Sequence, residues 1–268
     1  MKKRIKVGII GLGYVGGAVN KWFVGNKALY EVFRYDKYKN IGSIKEVNRA
    51  DIIFVAVPTP FTPGKGYDDS AVREAIANVR DGAVIVIKST VMPRSTERFQ
   101  KQYPKKTILF NPEFLRAKTA AKDFLHPDRQ LVGYGAPKGK GAAKKVLAIL
   151  PRAPYEKIMK AREAEMVKYF GNAFLSARVI FANQIYDICT AAGIDYEAVK
   201  EAASRDPRVG PSHFTIFDEG YRGYGGLCLP KDVNALIQFG RSVRADLGLL
   251  RSLEKINKKL RRLPTLKQ

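Results

Sequence analysis

Cysteine is scarce: the 268 residues contain two, Cys189 and Cys228. So few in a chain of this length exclude a disulfide framework and point to a reducing compartment. Long apolar runs are missing as well. The opening MKKRIKVGIIGLGYVGGAV mimics a secretory signal, but glycines at 8, 11, 13, 16 and 17 spoil it as an apolar helix. No later segment is apolar enough for long enough to span a bilayer, so a soluble cytoplasmic protein with no membrane partner is expected. Acidic residues are in short supply, with 25 Asp+Glu against 48 Lys+Arg and a net charge of +23. The excess thickens over residues 138–160 and again from Arg241 onward. A solvated basic surface accounts for it, although it would tolerate a polyanionic ligand. Zinc-finger spacing and RNP-like aromatic strands are both absent, so neither nucleic acid nor a bound metal is expected. There is no internal repeat and no low-complexity stretch.

What is present alternates. RIKVGII (4–10), YEVFRYD (30–36), DIIFVAV (51–57), AVIVIKS (83–89), TILFNPEF (107–114) and RQLVGYG (129–135) are apolar runs of strand length. Helical patterns and the turn residues Pro58, Pro60, Pro63 and Gly64 separate them. This predicts an α/β domain over 1–156 built on a Rossmann-like doubly wound parallel sheet. The pattern then changes. Residues 156–193 read as one long helix ending at Gly193, 195–204 as a shorter one capped by Asp195, and the segment from Asp232 to about Arg262 as a last long one. An all-helical domain over 157–268 is therefore expected.

GLGYVG at 11–16 fits G-x-G-x-x-G, and it follows a predicted strand and opens a predicted helix. In that context Gly11 permits the tight turn and Gly13 admits a pyrophosphate to the backbone, with Tyr14 and Val15 beside it. Gly16 brings the helix close to the sheet. Asp36 ends the second strand, where a carboxylate accepts hydrogen bonds from a ribose diol and repels a 2′-phosphate. NAD is the expected cofactor, with Arg34, Lys37 and Lys39 weakening the preference over NADP.

Within the long helix Lys168 and Asn172 share a face, with Glu165 one turn earlier. A solvated polar stripe is one reading, but Asn172 sits in the apolar run NAFLSARVIF, where an amide needs a partner. Cys189, in IYDICTAAG, reads as a small buried hydrophobe. Cys228, in GYGGLCLPKD (223–232), differs: flanking glycines leave room around it, and Lys231 favours a thiolate. Beside a nicotinamide, such a thiol would add to an aldehyde, and the hemithioacetal would be oxidised to a thioester.

GLGYVG, VPTP (57–60), KSTVMP (88–93), NPEFLR (111–116), AEMVKYFGNAFLSARVIFAN (164–183), DPRVG (206–210) and GYGGLCLPKD follow the order of the UDP-glucose/GDP-mannose dehydrogenase family, which the chain resembles over nearly its whole length. The resemblance implies NAD-dependent four-electron oxidation of a nucleotide sugar's primary alcohol, UDP-glucose to UDP-glucuronate by default. It assigns Cys228 as nucleophile, Lys168 as oxyanion stabiliser and Asn172 as its partner in orienting the sugar. Asp232 would position or activate water, and Glu113 would serve as acid/base in thioester hydrolysis. Thr59 and Thr90 would line the cofactor and Lys231 would reach it. Phe114, Leu115, Tyr224 and Gly225 would line the sugar site, and Arg208 would cross to that of a partner subunit. A homodimer through the helical domain is implied.

Departures accompany the match. Ala117 stands where the family often has a second glutamate, and Ile41 where a basic residue usually follows the ribose aspartate, with Lys37 or Lys39 as substitutes. The loop from Arg208 to Cys228 looks long, and the family's third, nucleotide-binding domain has no counterpart in these residues. Three readings follow. One is a minimal enzyme whose basic surface (Arg222, Arg241, Arg244 or the 258–262 cluster) holds the diphosphate. The second is a catalytic half completed by a separate nucleotide-binding chain. The third is a non-catalytic NAD-binding scaffold, against which the joint presence of Cys228, Lys168, Asn172, Asp232 and Glu113 counts.

Overall fold

The computed structural model describes residues 4–116 and 119–263. The chain divides into two compact units, Met1–Lys168 and Tyr169–Gln268.

In the first unit the strands are β1 (Ile5–Ile10), β2 (Tyr30–Asp36), β3 (Ile41–Gly42), β4 (Ile52–Val55), β5 (Phe61–Thr62), β6 (Gly66–Tyr67), β7 (Val84–Ile87), β8 (Thr107–Phe110), β9 (Arg129–Tyr134) and β10 (Tyr155–Lys160). The helices are α1 (Tyr14–Gly25), α2 (Ile44–Val47), α3 (Ser70–Asn78), α4 (Ser95–Gln102), α5 (Ala120–Leu125) and α6 (Lys140–Ile149). Among the described residues β5 and β6 form a separate hairpin, and the other strands make one sheet in the order β10-β9-β8-β7-β4-β1-β2-β3. The run β8-β7-β4-β1-β2 is parallel. Every residue of β4 is buried, as a strand covered on both faces must be. One core layer packs Ile53, Val55, Ile85, Ile87 and Phe110 with Val72, Ile76 and Phe99; the other packs Val7, Ile9 and Phe54 with Phe23 and Val146. Each such large side chain contributes about 1.5–3 kcal/mol on burial.

The sheet departs from the expected all-parallel form at its margins. β9 runs antiparallel to β8, and the two-residue β3 runs antiparallel to β2. A further strand appears where a helix was expected: Tyr155–Lys160 pairs in parallel with β9 instead of opening the long helix. As an edge strand it is covered on one side only, so Glu156, Lys157 and Lys160 are tolerated and its composition resembles a helix start.

The division between units falls within α7 (Ala161–Ala192). The second unit continues with α8 (Tyr196–Ser204), α9 (Leu229–Ser242) and α10 (Gly248–Leu260). Asp195 caps α8 as expected, its side chain accepting from Glu197 N. The last long helix is instead two. Arg244 adopts a left-handed φ of 58°, and Leu247 folds back onto Gly240, where an added Cβ would lie 2.5 Å from its Cδ2. Val179, Ile180, Val233, Ile237, Leu253 and Leu260 form this unit's main core.

Glu165, placed by its spacing on a polar stripe, is fully buried. Its carboxylate takes Arg94 N at 2.6 Å, Thr96 N at 2.9 Å and Thr96 Oγ1 at 2.6 Å, satisfying the orphan amides that open α4. Burial nonetheless pushes its pKa up to about 7, against those hydrogen bonds. A carboxyl that holds its proton more tightly when folded makes the folded state bind more protons between the unfolded value, near 4.3, and about 7. Glu165's contribution to stability is therefore greatest below that window and declines as pH rises through it. Urea unfolding at pH 5 and pH 7.5 will show a steeper fall for the parent than for Glu165→Gln.

Candidate functional site

In the first unit the chain leaves β1 to build β2 on one side and later β4 on the other, so the carboxyl end of β1 is a topological switch point, where open α/β sheets bind ligands. The glycine turn lies there. Gly11 has φ 86°, and a Cβ on it would meet Ala56 O at 2.5 Å; one on Gly16 would meet Gly11 O at 1.8 Å. Gly13 has nothing within 4 Å of an added Cβ, which leaves open space over the N-terminus of α1. Tyr14, in the first turn, is exposed and Val15 half-buried. Asp36 Oδ2 accepts from Leu12 N at 2.7 Å, and Oδ1 accepts from Tyr38 N and Lys39 N at 3.0 Å each. A carboxylate offers about four acceptor positions. Three are used, so Oδ2 retains one. Burial works to raise the Asp36 pKa, but the three amides and the Lys39 charge outweigh it and hold it below the usual range. Lys39 also donates to Leu12 O at 2.6 Å, placing a cation on the turn that Ile41, exposed in β3, does not supply. Lys37 pairs with Glu74 instead.

The loops after β4 and β7 are laced together on the same edge. Ser89 Oγ donates to Val57 O at 2.7 Å, and Thr59 Oγ1 donates to Thr90 O at 2.8 Å. These residues fit NAD: an unobstructed helix N-terminus for the pyrophosphate, a charged carboxylate for a ribose, and a fixed Thr59–Thr90 wall.

Glu113 follows β8 and Lys168 lies on α7. Both are buried, and Lys168 Nζ stands 2.8 Å from Glu113 Oε1. Glu113 Oε2 accepts from Leu115 N at 2.8 Å. Burial alone would raise the Glu113 pKa, but the Lys168 charge and hydrogen bond, the Leu115 amide and the charge of Lys88 together lower it. Phe114 lies under the Arg129 guanidinium, 3.8 Å from the ring centroid, and Leu115 packs on the core. Ala117 lies outside the described residues.

In the second unit Asn172 finds the partner its surroundings demand: Nδ2 donates to Asp232 Oδ2 at 2.5 Å, both side chains being buried. Lys231 pairs with the other oxygen of Asp232. Cys228 is exposed and caps α9, with Asp232 N donating to Cys228 O at 2.9 Å. A helix N-terminus favours negative charge on a sulfur there. The loop ahead of it is tied down by Asn257, which accepts from Tyr224 N at 2.8 Å and donates to Tyr224 O at 3.0 Å. Gly225 is needed because a Cβ would lie 2.3 Å from the Tyr221 hydroxyl oxygen. Cys189 is buried.

One expected surface cation is committed elsewhere. Arg222 Nε donates to Asn183 Oδ1 at 2.9 Å, and its Nη2 lies 2.8 Å from Asp187, so it is not available to hold a diphosphate. Arg208 is exposed and engaged with Asp206 at 2.6 Å. Sequence reasoning passed over Lys88, Asn111 and Asn257. The signal for Lys88 was present: a lysine closing the strand run AVIVIKS has nowhere to go but inward. Among the described residues no cluster of three or more His, Cys, Asp or Glu is arranged to hold a metal, and no helix is long and apolar enough to cross a membrane.

A doubly wound sheet with a glycine turn at its switch point and a carboxylate beside that turn is the arrangement of a dinucleotide-binding domain. Comparison with known proteins narrows this. The NAD binding domain of the UDP-glucose/GDP-mannose dehydrogenase family matches residues 25–150, and that family's central domain matches 162–259. The UDP-glucose 6-dehydrogenase AglM of Haloferax volcanii is 32% identical over 253 residues, covering 87% of this chain and 58% of that protein. The UDP-glucose 6-dehydrogenase YwqF of Bacillus subtilis is 34% identical over 225 residues, covering 80% and 50%. A solved UDP-glucose dehydrogenase from Pyrobaculum islandicum superposes with a TM-score of 0.83 at 30% identity, covering 96% of this chain and 68% of that one. The chain belongs to the UDP-glucose/GDP-mannose dehydrogenase family. It spans about half the length of the curated relatives it matches.

If the free acceptor position of Asp36 meets a ribose hydroxyl, Asp36→Ala removes that acceptor and also frees three amides. A hydrogen bond to a charged group is worth about 1.5–3 kcal/mol, so NAD affinity is expected to fall on the order of 10–100-fold. Titration calorimetry with NAD and NADP checks this, and the loss should be smaller for NADP.

Proposed function

We propose that the chain oxidises the primary alcohol of a nucleotide sugar to a carboxylate, with NAD as cofactor and Cys228 as the covalent nucleophile. The buried Asn172–Asp232 hydrogen bond carries this reading, because it fixes a carboxylate one helical turn from the cysteine that caps the same helix. Helical spacing puts Lys168 one turn before Asn172 on α7. NAD, when bound, would supply the two-electron acceptor, one molecule for each of the two oxidations.

Each side chain then has a task its surroundings suit. Asp232 takes up a proton as the alcohol is oxidised. Cys228 sulfur adds to the aldehyde carbon, and the ammonium of Lys168 holds the oxygen on which negative charge gathers. A fixed cation in a site with little water stabilises such an oxyanion far better than solvent does. Asn172 orients the same oxygen. After the second oxidation the thioester is opened by water, Glu113 accepting the water's proton as the C–O bond forms and the C–S bond breaks. Carboxylate and thiol are the products.

The outward face of α7 supports a homodimer. Phe170, Phe174, Phe181 and Ile188 are exposed on it, with the first two rings stacked at 6.5 Å, while Asn172, Ser176 and Asn183 are buried. A second copy presenting the same face would cover an aromatic stripe of this kind. Light scattering should give twice the chain mass for the parent and the monomer mass for Phe174→Glu.

The default substrate is UDP-glucose, following the relatives' names. The test is NADH formation from a panel of UDP- and GDP-sugars, with Cys228→Ala as control. Two NADH per sugar from one substrate, abolished in the variant, is the expected result. NAD binding without NADH from any sugar would overturn this reading.

A further inference from the structure

Lys88 closes β7, its backbone nitrogen donating to Val55 O at 2.8 Å, and its side chain is buried. Nζ donates to Asn111 Oδ1 at 2.7 Å and lies 5.5 Å from the centroid of the Phe124 ring. The Asn111 amide cannot turn away. Its Nδ2 donates to Leu131 O at 2.7 Å and to Gln130 Oε1 at 3.2 Å, so Oδ1 must face a donor. Asn111 stands two residues before Glu113, and Glu113 and Lys168 are the ionisable groups whose charges act on Lys88. Glu113 thus has one lysine in direct contact, Lys168, and a second buried lysine, Lys88, held on Asn111 two residues before it.

A compact interior does not easily hold two cations on one anion. Burial is the larger influence on Lys88, bringing its pKa down to about 7; the Glu113 charge opposes this and the Lys168 charge adds to it. Lys168 has the direct contact with Glu113, so Lys88 is the group that gives up its proton. Deprotonation leaves the geometry intact, because a neutral amine still donates to Asn111 Oδ1. Only the charge changes. Glu113 then loses one of the two cations that depress its proton affinity and becomes the stronger base.

We propose that Lys88 is a positioning residue for the chemistry of Glu113: held on Asn111, its ammonium restrains the basicity of that carboxylate, and its neutral amine releases it. This rests on the hydrolytic role proposed above for Glu113.

Two variants separate charge from packing. Lys88→Gln keeps a donor for Asn111 and is neutral at every pH; Lys88→Arg keeps the charge. With the chain labelled at lysine Cε, the NMR resonance missing from Lys88→Gln should titrate near pH 7 in the parent. Its midpoint should move down in Glu113→Gln, where the opposing charge is gone, and up in Lys168→Met. In kcat, the parent should follow Lys88→Arg below neutrality and Lys88→Gln above it. A gap between the two of up to about tenfold corresponds to one unit in Glu113's proton affinity. NAD affinity, measured on every variant, should not change. A resonance titrating near the ordinary lysine value of about 10.4, or parallel pH profiles for all three chains, would overturn the proposal. Failure of the dehydrogenase reading shows separately, as no NADH from any chain while the lysine titration is as described.

Discussion

A helix that buries its polar side chains is stable only if each of them meets a partner, and α7 is built under that constraint. Glu165, Lys168, Asn172 and Asn183 are buried while Phe170, Phe174, Phe181 and Ile188 are exposed. The first four engage Thr96, Glu113, Asp232 and Arg222 respectively. Breaking a buried ion pair by removing one partner costs about 3–5 kcal/mol, so the Lys168–Glu113 contact strongly constrains the loop after β8. The same contacts set proton affinities. Glu113 is held anionic by the lysine beside it, whereas Glu165, with amides and a hydroxyl but no cation, holds its proton up to about neutrality.

The nucleotide end obeys a different logic. There the turn is shaped by close backbone approach, with one buried carboxylate tying it down. Gly11 and Gly16 are excluded from carrying a Cβ by Ala56 O and Gly11 O, and Asp36 spends three of its acceptor positions on the turn before offering one to a ligand. Pre-ordering of this kind means that little remains to be immobilised when a dinucleotide arrives.

Much of this was legible in the sequence, and the parts that were not share a cause. Buried strands and the glycine turn declare themselves because apolar runs and positive-φ glycines are local requirements. Asn172 was legible as an amide in an apolar run that needed a partner, although spacing could not name Asp232. What stayed hidden depends on neighbours distant in the chain. The edge strand Tyr155–Lys160 reads as helix because one side of it is uncovered. Arg222 reads as a surface cation until Asn183 and Asp187 engage it. Glu165 has the spacing of a solvated stripe, and only the arrival of the α4 N-terminus makes it a buried cap. The break between α9 and α10 turns on Leu247 reaching Gly240, which no helical periodicity encodes.

If Cys228 carries the substrate as a thioester that Glu113 helps to hydrolyse, blocking Glu113 should trap it. Glu113→Gln can still accept from Lys168 but cannot take a proton from water. Incubated with NAD and the productive sugar, then acid-quenched and digested, its Cys228 peptide should carry the mass of the acylated nucleotide sugar. An unmodified Cys228 peptide in a preparation that has formed NADH would contradict the account.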